Sequence, residues 1–103
     1  MSIHQMNFYS ELSEAEIRDR MSREGFSPRR VAELPGAIYE PHKNPTDMLL
    51  VFIAGSADVT IGDKTYHCRA GDRLEIPGHI KHSALIGEQG VVYLMTCKEM
   101  MAD

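Results

Sequence analysis

The feature that most constrains the fold is a succession of short, strand-like runs that begins after Phe26 and is broken by glycine and proline turn signals. Several such runs at close, regular spacing are typical of a small β-sandwich or barrel. No second helix of useful length follows Phe26, so the sequence predicts an all-β domain. The predicted strands are 37–40, 48–54, 57–61, 64–69, 73–76, 83–86 and 91–97.

Glycine-containing segments mark the predicted connections between these strands. Gly62-Asp63 is a tight hairpin signal between two runs with alternating polarity. Gly55-Ser56 ends the apolar run that starts at Met48, and Gly87–Gly90 is predicted to be a hairpin loop. The strand order does not follow from these local signals.

The stretch from Gly71 to His82 combines a turn, a short strand and a corner. Apolar and charged residues alternate over 73–76, so one face of this strand is apolar. Pro77 cannot donate to a sheet ladder, and it is therefore placed at the strand end. We expect the Asp72 carboxylate to cap the turn rather than to act as a base.

One helix is predicted, over residues 13–24, ahead of the strands. Ser13 and Glu16 have the spacing of a capping box. Ile17 and Met21 form a narrow apolar stripe, and the remaining charges indicate a solvated face. We predict an N-terminal extension, 1–30, whose helix packs on a barrel formed by 31–103. The sequence leaves open whether the helix covers the barrel mouth or its side.

Composition restricts the class of protein and its partners. A chain of 103 residues with a net charge of −4 is one domain, and its scattered bases argue against a nucleic-acid partner. No apolar run approaches the roughly 20 residues that span a bilayer, and no secretion signal is apparent. We therefore expect a cytoplasmic protein with no membrane partner, in which Cys68 and Cys97 stay reduced.

The spacing of residues 36–55 resembles the first motif of the cupin superfamily, G-x5-H-x-H-x3-4-E-x6-G. Gly36 is followed after five residues by His42, and Gly55 closes the motif. Asn44 stands where the motif has its second histidine, and Met48 stands where it has glutamate.

Residues 71–86 resemble the second cupin motif, G-x5-P-x-G-x2-H-x3-N. Gly71, Pro77 and His82 are in place, whereas His79 and Ile86 replace the glycine and the asparagine. The resemblance implies a jelly-roll β-barrel with a pocket inside one end.

The resemblance also implies a metal cage of three histidines and one glutamate, suited to Fe, Mn, Ni or Zn. This chain keeps only His42 and His82 as candidate ligands. Asn44 offers a neutral amide, Met48 offers a thioether that favours soft metals such as Cu(I), and His79 is a reserve ligand. A weak or absent divalent metal site is therefore expected.

The resemblance implies a pocket, and strand alternation predicts that its wall is partly apolar, which suits a small molecule with one or two polar groups. The predicted pocket residues are His42, Asn44, Met48, Leu50, Phe52, Tyr66 and His82, with Leu74 beside Tyr66.

Three hypotheses follow. The first is a small-molecule binding protein with a weak metal site or none, and the alternative is a metal-dependent dioxygenase or isomerase that uses His42, His82 and either Asn44 or His79. The third is a dimeric barrel with a vestigial pocket. A homodimer is expected because the opposite face of the 48–54 run (Leu49, Val51 and Ile53) needs a packing partner, either the other sheet or another subunit.

Overall fold

A computed structural model describes residues 3–97 as seven strands and one helix. In chain order these are β1 (His4–Gln5), α1 (Glu14–Arg23), β2 (Arg29–Glu33), β3 (Ile38–His42), β4 (Met48–Ile61), β5 (Lys64–Arg69), β6 (Arg73–Ile76) and β7 (His82–Cys97). The predicted fold class, all-β with one short helix, is confirmed. Within 3–97, no helix is long and apolar enough to cross a membrane.

Two long strands, β4 and β7, form the centre of the fold. They pair antiparallel from Met48 opposite Cys97 to Ile61 opposite His82. The first part of β4 also pairs with β6 and the second part with β5, while β7 pairs first with β3 and then with β2. The same two strands thus belong to two sheets, ordered β1-β6-β4-β7-β2 and β5-β4-β7-β3. The result is the jelly-roll arrangement.

The predicted strand end at Gly55-Ser56 and the predicted hairpin loop at Gly87–Gly90 are wrong. Ile86 pairs with Ala57 and Val91 pairs with Gly55, so β7 keeps its direction while residues 87–90 bulge opposite Ser56. A bulge bends a strand and raises its local twist. The glycines therefore mark the corner at which both strands pass from one sheet to the other.

The helix begins as the sequence predicts. The Ser13 hydroxyl accepts from the Glu16 amide at 3.2 Å, and the Glu16 carboxylate accepts from the Ser13 amide at 3.0 Å. This completed capping box satisfies two amides that would otherwise lack partners at the helix start. The hydrogen bonds lower the pKa of the Glu16 carboxyl.

The two faces of β4 contact different partners. Leu50 and Phe52 lie in the core between the sheets, whereas Leu49 and Val51 pack with Ile17 and other residues of the N-terminal part. The face that was expected to meet the other sheet or a second subunit is therefore covered by α1 and the segment before it. The helix lies against the side of the barrel.

Asp72 ties the N-terminal segment to the barrel. Its carboxylate accepts from the Arg69 amide at 3.1 Å, which confirms the predicted turn cap. It also accepts from the Asn7 amide at 3.0 Å and lies 2.8 Å from Nε2 of His4, a residue that the sequence left unplaced. Asp72 is only 1% exposed. A buried carboxylate is tolerated when it is hydrogen-bonded in this way.

Gly55 and Gly36 offer a matched test of the corner. Both have φ of +74°, but a Cβ at Gly55 would lie 2.0 Å from the Gly90 carbonyl oxygen, whereas a Cβ at Gly36 would meet nothing within 4 Å. We expect Gly36→Ala to lower the free energy of unfolding by about 1–2 kcal/mol through its backbone conformation alone. Gly55→Ala should lose a further 1–3 kcal/mol or so through overpacking. Urea denaturation measures both, and equal losses would contradict the corner assignment.

Candidate functional site

The structure brings His42 and His82 together, although they are far apart in the sequence. His42 ends β3, His82 begins β7, and the two residues face each other in the strand pairing. Their ring centroids are 4.2 Å apart, with an angle of 60° between the ring planes. The convergence predicted from the cupin resemblance is thus present as a pair of neighbouring imidazoles.

Each ring of this histidine pair is oriented by a backbone carbonyl two residues earlier. Nδ1 of His42 lies 3.0 Å from the Glu40 carbonyl oxygen, and Nδ1 of His82 lies 3.4 Å from that of Ile80. A carbonyl only accepts, so each Nδ1 carries the proton and donates it. In this tautomer Nε2 keeps its lone pair and can accept a hydrogen bond or bind a metal.

Burial makes the two histidines unequal. His82 is 6% exposed, whereas His42 is exposed to solvent. Desolvation lowers the pKa of His82, and the nearby His42 adds to this effect, while the hydrogen bond to the Ile80 carbonyl opposes it. The neutral imidazole of His82 is therefore favoured.

A cavity of about 90 Å³ lies beside the pair. The predicted pocket residues His42, Met48, Leu50, Phe52 and His82 line it. Its other lining residues are Tyr39, Ala57, Val59, Ile76, Ser83, Ala84 and Tyr93. The cavity is therefore apolar over most of its wall, with polar groups at the histidine end.

Two tyrosines in this wall were missed by sequence reasoning. Tyr39 on β3 donates its hydroxyl to the Glu33 carboxylate of β2, which links the edge strands of the two sheets. Tyr93 on β7 packs against Phe52, with ring centroids 5.8 Å apart. Burial raises the pKa of Tyr93, and Glu33 contributes in the same direction. Strand alternation on both sides of the bulge is the signal that would have found them.

The remaining predicted residues lie around the cavity rather than in its wall. The Asn44 amide donates to Sδ of Met48 at 2.8 Å. Tyr66 lies edge-on to His4 at 5.8 Å, toward the N-terminal strand. His79 is exposed, and its backbone amide donates to the Asn44 carbonyl oxygen at 2.7 Å.

The side chains present do not fit the metal cage that the resemblance implies. Within residues 3–97, no group of three or more His, Cys, Asp or Glu side chains is placed to hold a metal ion. His79, the reserve ligand, does not form such a group with His42 and His82. Asp47, the nearest carboxylate in sequence, instead accepts from the Gly78 amide at 2.7 Å.

A second cavity, of about 290 Å³, lies on the helix side of the barrel. It is lined by residues 9–14 with Ile17, and by Phe52, Ile53, Ala70 and Gly71. It is larger, but it contains no pair of imidazoles, and the Ser13 hydroxyl at its edge already caps the helix. The chemical features therefore favour the smaller cavity.

Comparison with known protein families gives one match, the AraC-like ligand binding domain, over residues 29–96. This range includes β2 to β7 almost completely, together with both histidines. No curated protein sequence matches the chain.

Solved structures with the same fold include KdgF from Halomonas sp., at 23% identity over 66% of this chain and 65% of that one, with a TM-score of 0.59. An RmlC-like cupin from Shewanella frigidimarina matches at 20% identity over 66% and 60% of the two chains, with a TM-score of 0.61. These similarities confirm the predicted cupin fold.

A variant of oxalate decarboxylase from Bacillus subtilis has 30% identity over 66% of this chain but only 19% of its own length, with a TM-score of 0.62. Another study of that enzyme concerns its Mn(II) centres. This chain spans less than two thirds of the length of each of these three proteins.

The lowered pKa of His82 predicts a specific pH dependence of stability. The unfolded chain, with a histidine pKa near 6.5, binds the proton more readily than the folded protein does. The contribution of His82 to the free energy of unfolding should therefore be full above about pH 6.5 and be lost as the pH falls through the folded-state pKa.

Urea denaturation across this pH range, compared between the parent protein and His82→Gln, measures this contribution. The parent should lose more stability than the variant on acidification. Parallel curves for the parent and His82→Gln would contradict the assignment.

Proposed function

We propose, from the premise that this chain belongs to the AraC-like ligand binding domain family, that it binds a small, partly apolar molecule in the cavity beside His42 and His82. The observation that carries the proposal is the pairing of two imidazoles 4.2 Å apart at one end of a largely apolar cavity. Binding sites commonly combine apolar walls with a few convergent polar groups.

The size of the cavity restricts the ligand. Its volume of about 90 Å³ is well below the roughly 300 Å³ at which typical ligand pockets begin. It is also below the approximately 150 Å³ of an apolar cavity that is known to admit benzene. The ligand is therefore a molecule of a few non-hydrogen atoms, unless the walls move apart.

The tautomers of the histidines restrict its chemistry. With both Nδ1 atoms donating to backbone carbonyls, the available ring atom of each is an Nε2 acceptor. The hydroxyl of Tyr39, which also lines the cavity, is already engaged by the Glu33 carboxylate. A ligand that donates hydrogen bonds suits these groups better than a carboxylate does.

The alternative, a metal-dependent dioxygenase or isomerase, has less support. The manganese-containing relative suggests such chemistry, but the residues at positions 44 and 48 supply neither an imidazole nor a carboxylate. We therefore favour binding over divalent-metal catalysis for this chain.

Ligand binding can be tested with two probes that share the same branched four-carbon skeleton. Isobutanol donates a hydrogen bond and isobutyrate does not, so we expect only isobutanol to shift the ring nitrogen resonances of His42 and His82 in protein labelled with ¹⁵N-histidine. Ala84→Leu, which fills the cavity, should abolish the shift. Thr65→Leu, which adds the same side chain at an exposed position, should leave it unchanged.

Two outcomes would contradict this proposal. One is an absence of ring shifts with either probe, and the other is equal binding by the parent and by a folded Ala84→Leu variant. A stronger response to isobutyrate would overturn the donor assignment alone.

We also propose that the protein forms a homodimer, through a surface other than the outer face of β4. The outer face of β4 is covered by the helix, but Ile38 and Leu85 remain 67% and 49% exposed and lie opposite each other on β3 and β7. A two-fold axis would bring two such apolar rows together. Sedimentation should give a dimer for the parent and a monomer for Leu85→Glu; a monomeric parent would refute the proposal.

We also propose that the protein is cytoplasmic. The support for it is that Cys68 and Cys97 are both free thiols, as is usual in a reducing compartment.

A further inference from the structure

Three side chains with uncharged metal-donor atoms line the small cavity. His42 and His82 carry imidazole nitrogens, and Met48 carries a thioether sulfur. All three are neutral, and Met48 stands where the divalent-metal motif has a carboxylate. We propose that His42, His82 and Met48 form a binding site for a soft monovalent metal ion, Cu(I), for which Ag(I) is a redox-inert probe.

The strands place these side chains around one space. His42 ends β3, His82 begins β7, and Met48 begins β4, so each lies at a strand terminus. The cavity that they share has a volume of about 90 Å³, which is sufficient for a metal ion.

The nitrogen donors are already in the ligating form. Because each Nδ1 donates to a backbone carbonyl, the lone pair of each Nε2 is available to a metal. Carbonyl hydrogen bonds of this kind fix the tautomer and the ring orientation of histidine ligands in metal sites. The same contacts therefore prepare this pair for a metal.

The sulfur donor is positioned by a second side chain. The Asn44 amide donates to Met48 Sδ at 2.8 Å, which fixes the flexible thioether at the cavity wall. A thioether sulfur has two lone pairs, so one remains for a metal. Asn44 thus acts as a positioning residue for Met48. The two residues that replace the motif's histidine and glutamate therefore act together.

Charge and softness select the ion. Leu50, Phe52 and Ile76 give the cavity an apolar wall, and the three donors carry no negative charge. Burying a charge without a counter-charge is strongly unfavourable, and this penalty grows with the square of the charge, so a monovalent ion is favoured over a divalent one. Thioether ligands select Cu(I) over Mn or Mg.

This inference does not depend on the organic ligand proposed above. The two occupants share the histidines, but only the metal needs the sulfur of Met48, and only the organic ligand needs the space beside Ala84. Met48→Leu and Ala84→Leu therefore separate failure of one proposal from failure of the other.

The first experiment uses the parent protein, labelled with ¹³C at the methionine methyl groups. The chain has seven methionines. On titration with Ag(I) we expect one methyl resonance, that of Met48, to shift with one equivalent, together with the ring nitrogen resonances of both histidines. Shifts of other methyl groups without that of Met48, or no shifts, would overturn the proposal.

The second experiment measures Cu(I) affinity under anaerobic conditions by competition with a colorimetric Cu(I) chelator. Met48→Leu should weaken binding by more than the approximately tenfold loss expected for Asn44→Ala, whose effect is on positioning alone. Met6→Leu is the matched control, because Met6 is 72% exposed and does not line the cavity. It should bind as the parent does.

The thiols need a separate control, because they also bind soft metals. Cys97 lies opposite Met48 in the β4–β7 pairing, so Cys97→Ala should be made alongside the other variants. Stoichiometric binding that survives Met48→Leu, or that is lost in Cys97→Ala, would overturn the assignment to Met48. Preferential binding of Zn(II) or Mn(II) would also overturn it. Circular dichroism of each variant establishes that it is folded.

Discussion

The antiparallel pairing of β4 with β7 is the interaction on which the rest of the structure depends. It joins the two sheets through a shared pair of strands, and the close approach of Gly55 to the Gly90 carbonyl makes the corner possible. The pairing also places Met48, Phe52 and Tyr93 around one cavity and starts β7 at His82. The candidate site is therefore a direct product of the strand pairing and needs no additional loop structure.

The inner face of β4 borders the candidate site, whereas its outer face packs against the helix and the segment before it. On the inner side lies the cavity with its histidines. On the outer side, Arg73 of β6 adds contacts to the N-terminal part of the chain. Its guanidinium donates to the Tyr9 hydroxyl at 3.1 Å and lies 3.4 Å from the Glu24 carboxylate. Together with Asp72, these contacts hold the N-terminal segment and the helix against the sheet. The helix is thus part of the domain's packing.

Much of the fold was predictable from the sequence, because capping boxes, apolar alternation and glycine signals are local. The corner was not, since a glycine with positive φ serves a hairpin turn and a bulge equally well, and only long-range pairing distinguishes them. For this reason the sequence predicts a turn at Gly87–Gly90 and does not place Tyr93 in the cavity wall. Tyr66 illustrates a second limit: alternation gives the face on which a side chain lies, but not its height along the barrel.

The convergence of His42 and His82 came from the cupin resemblance, not from local patterns, because 39 residues separate the two and only the fold joins them. The resemblance did not predict how Asn44 and Met48, which replace two of the motif's metal ligands, interact with each other. The hydrogen bond from Asn44 to Met48 is visible only in three dimensions.

The shared strands also have a consequence for how the chain acquires its structure during synthesis. Among the elements of residues 3–97, only β4 and β5 are joined by a two-residue connection, Gly62-Asp63, so their hairpin can pair as soon as both strands have been made. The first part of β4 must wait for β6 and for the C-terminal part of β7. Because non-local pairing slows folding, the apolar segment 48–54 gains its full set of strand partners only after the C-terminal part of β7 has been made.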